Sequence, residues 1–142
     1  MLAANRVSHA RTGGGIESGL LLWFGAVHTR NAEDIDLVRR FYEERLVSNY
    51  WSHSLTGWPG PVVRFFLKQC EEEALIEAAS GDEQSLCEAH FAAAVRAREV
   101  GRHAAYRKKL KLAAPGKGSH EVYDFYNVLC YFVARFEVEL AN

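Results

Sequence analysis

The chain has 142 residues, of which 49% are hydrophobic and 25% charged, and both fractions are ordinary for a soluble globular protein. A chain of this length can bury a real core within one domain. Its longest apolar stretch, 19–27, is far too short to cross a bilayer, so we expect no membrane span. The formal net charge is −1, but that balance hides a strong separation of basic from acidic residues along the chain.

The first 15 residues are basic and polar, contain no acidic residue, and end in three consecutive glycines. We predict a flexible arm over 1–15, followed by a helical domain over 16–142. The arm also loosely resembles an organelle transit peptide, which is the alternative interpretation. The three cysteines are widely spaced and form no CxxC pair, which favours free thiols in the cytoplasm or another reducing compartment.

The first apolar segment, 16–28, shows no clear alternation, so its period leaves helix and strand open, although its Leu-rich start favours a short helix. A clearer helix signal begins at Asn31, which suits an N-cap, with Asp34 in the first turn. Apolar residues then recur at helical spacing, at Ile35, Val38, Tyr42 and Leu46.

An aromatic loop is predicted next, because Pro59, Gly60 and Pro61 prevent a continuous helix. Tyr50, Trp51 and Trp58 lie close together in this segment. Large aromatic side chains with a polar group are typical anchors of binding interfaces, so these three are our candidate partner-binding residues. The alternative is that the tryptophans fill the end of the helical bundle.

Pro61 suits the first turn of a third helix, whose later half is acidic from Glu71 to Glu77. Ser80 and Glu83 have the spacing of a capping box, which predicts that a fourth helix starts there. We expect this helix to run from about 82 to 112 and to bend or break near Gly101. Its predicted core-facing row is Leu86, His90, Ala93, Ala97, Val100 and Ala104.

A final helix follows a Pro/Gly linker, with Ser119 as its predicted cap. Its apolar residues at three-four spacing are Val122, Tyr126, Leu129, Val133, Phe136 and Leu140. Further apolar residues cover much of its circumference, which places it in the core or at an interface. The predicted fold is therefore a mainly α, single-domain bundle of four to five helices with a flexible N-terminal arm.

The segment 96–117 holds eight of the 17 Lys and Arg residues and one of the 18 Asp and Glu residues, a net charge of +7 against −8 elsewhere. The nucleic-acid-binding candidates are Arg96, Arg98, Arg102, Arg107, Lys108, Lys109 and Lys111, with Tyr106 placed among them to stack on a base. The preferred interpretation of this charge is nevertheless a solvated helix end balanced by the acidic run 71–77, and an acidic protein partner is a further alternative.

One short pattern suggests catalysis. Arg98 precedes His103 by five positions and Arg96 precedes it by seven, which resembles the R-x4–6-H motif of the HEPN ribonucleases, small helical bundles. The resemblance implies that His103 acts as general acid/base and that Arg96 or Arg98 stabilises phosphate charge. That family usually has a small polar residue directly after the Arg, whereas Ala97 and Glu99 stand there in this chain.

Metal binding has weak candidates in Cys87 and His90, which are three residues apart on a predicted helix but have no second ligand pair. We therefore expect no metal and no cofactor. The leading functional interpretation is a small non-enzymatic interaction module, an accessory or inhibitor protein or an assembly subunit, that binds a protein partner as a hetero- or homo-oligomer. The alternatives are a nucleic-acid-binding protein that uses 96–117 and a HEPN-like ribonuclease.

Overall fold

The protein is mainly α-helical. The computed structural model describes residues 15–47, 55–114 and 125–140, and leaves the side chains of 125–132 undescribed. Its described part contains seven helices and no strand. The helices are α1 (Ile16–Thr29), α2 (Ala32–Val47), α3 (Gly60–Phe66), α4 (Glu72–Ala79), α5 (Glu83–Glu99), α6 (His103–Ala113) and α7 (Phe125–Leu140). The chain divides into two compact units, Met1–Ala78 and Ala79–Asn142.

In the first unit, α1 packs against α2, and α2 contacts α3. The ambiguous segment 16–28 is thus helical, and the cap predicted at Asn31 is confirmed, since its Oδ1 accepts hydrogen bonds from the amides of Glu33 and Asp34 at 3.1 and 3.3 Å. The core of the unit is aromatic: the Trp23 ring lies 4.4 Å from Phe66 and 5.9 Å from Tyr42, measured between ring centroids.

The predicted third helix is two helices, which corrects the expectation of a continuous one. Pro61 does lie in the first turn of α3. That helix ends because Lys68 adopts a left-handed conformation, with φ of 59°. The amide of Gln69 then donates to the carbonyl of Arg64 at 2.7 Å, and the amide of Lys68 donates to that of Phe65, which is a Schellman ending.

In the second unit, α5 packs against α6 and α7, and α6 packs against α7. The start of α5 differs from the predicted capping box, because the N-cap is Asp82 and not Ser80. Its Oδ2 accepts hydrogen bonds from the amide and the hydroxyl of Ser85, at 2.9 and 2.6 Å. Helix α5 is buried on several sides in its middle, including five consecutive residues from 91 to 95.

The predicted break near Gly101 is confirmed. Gly101 has a φ of 77°, and the amide of Arg102 donates to the carbonyl of Ala97 at 2.8 Å, so α5 ends here and α6 begins at His103. The change of direction corrects the predicted core row. Its members Ala93 and Ala97 are buried, Leu86 and His90 are half-buried, and Val100 and Ala104 are exposed.

The two internal breaks, at Lys68 and Gly101, raise the helix count above the four to five predicted. The final helix is described from Phe125, and its predicted cap, Ser119, lies outside the described residues. Within its described side chains, Ala134 is buried, whereas Phe136 and Leu140 are 60% and 68% exposed. The arm over 1–15 and the single domain over 16–142 stay predictions, since residues 1–14 also lie outside the description.

Candidate functional site

A groove of about 700 Å³ opens in the second unit between α6 and α7, with the C-terminal end of α5 at one side. Helix α6 supplies one wall, and α7 supplies Glu137, Val138 and Leu140. The groove's basic and imidazole side chains, all from the segment singled out in the sequence, are Arg98, His103, Arg107, Lys108 and Lys111. The candidate site is therefore a cationic wall facing a mixed acidic and apolar one.

The floor of the groove is formed by Tyr106, which is 4% exposed. Its hydroxyl donates a hydrogen bond of 2.8 Å to Oε2 of Glu137, and the guanidinium carbon of Arg98 lies 4.9 Å from the centre of its ring. Burial, together with the bond to Glu137, raises the pKa of Tyr106 well above its ordinary value. Tyr106 is thus a neutral structural link between α6 and α7, and its ring is not open to stack on a base.

The cationic wall is regular because His103, Arg107 and Lys111 are four residues apart along α6. Residues at this spacing lie above one another on one side of a helix, about 6 Å apart along its axis. All three are exposed, as is the neighbouring Lys108. The like charges of Arg107 and Lys111 repel each other by a few tenths of a kcal/mol, which lowers the stability of α6.

The charges of this wall have no carboxylate partner among the described residues. Helix α6 contains no acidic residue. Arg39–Asp36, Arg96–Glu99 and Arg135–Glu139 are ion pairs within the described part of the chain, and Arg107, Lys108 and Lys111 take part in none of them. The wall therefore presents positive charge to solvent, which favours anionic ligands.

The structure does not bring the whole basic segment together. Arg96 forms an ion pair of 2.7 Å with Glu99 and does not line the groove. Arg102 is exposed and Lys109 is half-buried, and both also lie outside the groove lining. The nucleic-acid-binding candidates that share the groove are Arg98, Arg107, Lys108 and Lys111. A balance between the basic segment and the acidic run 71–77 stays a prediction.

The catalytic candidates are separated by the break at Gly101. Arg98 lies near the end of α5 and His103 begins α6, and both line the groove. Arg96 also lies in α5, so it does not share a helix with His103. The R-x4-H spacing thus places one Arg and one His at a common groove, without placing them on one helix.

The candidate partner-binding loop is only partly described. Tyr50 and Trp51 lie outside the described residues, and Trp58 is half-buried. Next to it, the carbonyl of Leu55 accepts a hydrogen bond of 3.0 Å from Nη1 of Arg64, and Leu55 itself is fully buried. The described end of this loop is therefore packed into the first unit, and the role of the loop in binding stays a prediction.

The weak metal candidates serve the packing of the second unit. The thiol of Cys87 donates to the carbonyl of Ala113 at 2.7 Å, and burial raises its pKa to about 12, whereas a metal ligand must be a thiolate. His90 is half-buried on the same helix. Among the described residues, no three His, Cys, Asp or Glu side chains are placed to hold a metal ion.

Comparison with protein-family models, curated proteins and solved structures finds no match for this chain. No helix in the described part of the chain is long and apolar enough to span a membrane. The α7 wall of the groove was missed at the level of sequence, because nothing in the sequence indicated that Glu137 would face the basic segment. Of the α7 residues that line the groove, Leu140 alone belongs to the apolar row predicted from the sequence.

Proposed function

We propose that the second unit binds nucleic acid and that the groove between α6 and α7 receives the phosphate backbone. The observation that carries this proposal is the exposed stripe on α6, whose cations have no carboxylate partner among the described residues. Phosphate groups spaced along a strand are natural ligands for a row of Lys and Arg.

The charge of the groove supports this assignment. Its lining contains the cations of Arg98, Arg107, Lys108 and Lys111 and a single carboxylate, that of Glu137. Glu137 is occupied by the hydrogen bond from Tyr106, and Arg98 lies over the Tyr106 ring. The three remaining cations of α6 therefore face the solvent with little local compensation, at the positions where a backbone would run.

The experiment is a fluorescence anisotropy titration with labelled single-stranded RNA and duplex DNA between 50 and 200 mM salt. Three phosphate contacts from Arg107, Lys108 and Lys111 give a salt slope of about −2 for a single strand, which weakens binding about 20-fold over that range. The double variant Arg107→Ala/Lys111→Ala removes two contacts, so its slope should fall to about −0.7, and its affinity should change about threefold over the same range.

The matched control is Arg40→Ala/Arg102→Ala, which removes two exposed charges outside the groove and should leave the slope unchanged. Equal effects of the two double variants would contradict the proposal, because they would show a response to net charge alone. Absence of binding at 50 mM salt would also overturn it. The same RNA run on a gel tests the ribonuclease alternative, which requires cleavage that is lost in His103→Ala.

A protein-interaction module is the second candidate, favoured by exposed apolar side chains in the same unit. Val100 and Leu112 are 56% and 48% exposed and lie outside the groove lining. Sedimentation velocity over a concentration series tests the homo-oligomer directly. Self-association that disappears in Val100→Glu/Leu112→Glu would support this second candidate, and a monomer at every concentration would contradict its homo-oligomeric form.

A further inference from the structure

We infer that His103 is a fourth phosphate-binding side chain of the groove, which acts as the protonated imidazolium, so that nucleic-acid binding by the second unit is linked to proton uptake. This inference rests on the proposed function and adds a residue and a regulating condition to it. His103 is exposed, lines the groove and begins the i,i+4 row that continues with Arg107 and Lys111. A phosphate backbone that follows this row therefore passes the imidazole at the end of the stripe.

The imidazole of His103 is available to a ligand. Its side chain forms no hydrogen bond and no ion pair with the residues that the structure describes. Its backbone amide donates to the carbonyl of Gly101 at 3.0 Å, so the main chain is held while the ring is left to the solvent. A neutral imidazole has one N–H donor, whereas the protonated ring has two donors and a positive charge. Protonation therefore turns this ring into a phosphate ligand like its neighbours in the row.

The ionisable side chains that line the groove with His103 come from three helices. They are Tyr106, Arg107, Lys108 and Lys111 of α6, Arg98 of α5 and Glu137 of α7. The preceding residue, Arg102, is exposed outside the lining. Among these side-chain types, histidine alone ordinarily changes its charge between pH 5 and 8. Burial raises the pKa of Tyr106 further away from this interval. A change of binding over this interval therefore reports on the imidazole.

The proton and the phosphate favour each other's binding. Arg98 and Arg107 line the same groove as His103, and a bound phosphate adds negative charge to this cationic surrounding. The ligand stabilises the imidazolium, and by linkage the proton strengthens ligand binding by the same factor. One additional contact steepens the salt slope for a single strand from about −2 to about −2.8, and it tightens binding about 8-fold at 50 mM salt. Binding should therefore weaken as the pH rises from 5.5 to 8.

The test is an anisotropy titration at pH 5.5 and pH 8 with labelled oligothymidine, which lacks the 2′-hydroxyl and so keeps binding separate from the ribonuclease alternative. The wild type should bind about 5- to 8-fold more tightly at pH 5.5 in 50 mM salt, with the steeper slope. His103→Gln stays neutral and should show the shallower slope at both pH values. His103→Lys stays charged and should show the steeper slope at both. The matched control is His90→Gln, a half-buried histidine outside the groove lining, which should keep the wild-type response.

Three outcomes would overturn the inference. They are a wild-type affinity that is equal at the two pH values, a pH response that persists in His103→Gln, and binding by His103→Lys at pH 8 no tighter than that of the wild type. The proposed function survives all three if Arg107→Ala/Lys111→Ala lowers the salt slope at pH 8. Failure of the wild type to bind at either pH would instead overturn both.

Discussion

The hydrogen bond between Tyr106 and Glu137 should be a measurable part of the stability of the groove. The bond is 2.8 Å long and joins α6 to α7, and the Tyr106 ring is buried. Tyr106→Phe removes one hydroxyl and retains the ring, so the packing and the contact with the Arg98 guanidinium remain. The variant isolates the hydrogen bond from the rest of the floor.

The expected loss follows from the charge of the acceptor. Hydrogen bonds to ionised groups contribute about 1.5–3 kcal/mol to the free energy of unfolding. Glu137 is half-buried, so water can reach its carboxylate once the hydroxyl is gone, and the lower end of that range applies. We expect a loss of about 1.5 kcal/mol, which is roughly a 12-fold change in the unfolding equilibrium.

Urea unfolding followed by far-UV circular dichroism measures this loss. With a slope of about 1.5 kcal/mol per molar urea, the midpoint should fall by about 1 M. A double-mutant cycle with Glu137→Ala should give a coupling energy of about 1 kcal/mol between the two side chains. A coupling near zero would refute the assignment, because the loss in Tyr106→Phe would then come from other effects of the substitution.

The same bond gives the protein a specific sensitivity to alkaline pH. The pKa of Tyr106 is raised in the folded state, so the stabilisation is complete below the unfolded value of 10 and is lost as the pH rises towards the folded value. Tyr106→Phe lacks this dependence. The difference in unfolding free energy between wild type and variant should therefore shrink from pH 9.5 to pH 11, by about 1 kcal/mol. A constant difference over this interval would contradict the raised pKa.

Two further predictions concern backbone conformation and capping. In Gly60→Ala the added Cβ would lie 1.8 Å from the carbonyl oxygen of Leu55, so we expect the free energy of unfolding to fall by more than about 4 kcal/mol. Gly25→Ala has open space at its Cβ and should raise the free energy of unfolding by up to about 1 kcal/mol. Thermal melts in which Gly60→Ala is not the less stable of the two variants would contradict this. Asp82→Ala removes the N-cap of α5 and should cost about 1 kcal/mol at pH 7. Hydrogen bonds from Ser85 lower the pKa of Asp82 in the folded state. The stabilisation by this cap is therefore present above pH 3.8, the unfolded pKa, and is lost as the pH falls through the folded pKa. Asp82→Ala should not show this loss of stability at acid pH.

For the candidate site, the sequence predicted the basic segment but not which of its residues lie together. The basic segment was visible from charge alone, because eight cations within 22 residues need no structure to be noticed. Which of them act together depended on the break at Gly101, since a helical wheel is valid only within one helix. Arg96 pairs with Glu99 within α5, whereas Arg107 and Lys111 of α6 face the groove.

The accessibility of aromatic residues also required the tertiary structure. Tyr106 lies among the cations in the sequence, which made it the apparent stacking residue, yet packing against α7 buries it. The three-four spacing predicted a core position for Phe136, yet this residue is 60% exposed. Helical periodicity identifies one face of a helix, but only the neighbouring helices determine whether that face is covered.

The sequence by itself determined the helices whose ends carry a local chemical signal. Asn31 caps α2 through its own side chain, and Gly101 ends α5 because glycine adopts a positive φ without steric cost. The C-terminal ends of α1 and α3 carry no such signal in the sequence. There the left-handed residues are Arg30 and Lys68, whose side chains disfavour that conformation. Only the packing and the hydrogen bonds of the folded chain can hold them in it, so the tertiary structure decided where those helices end.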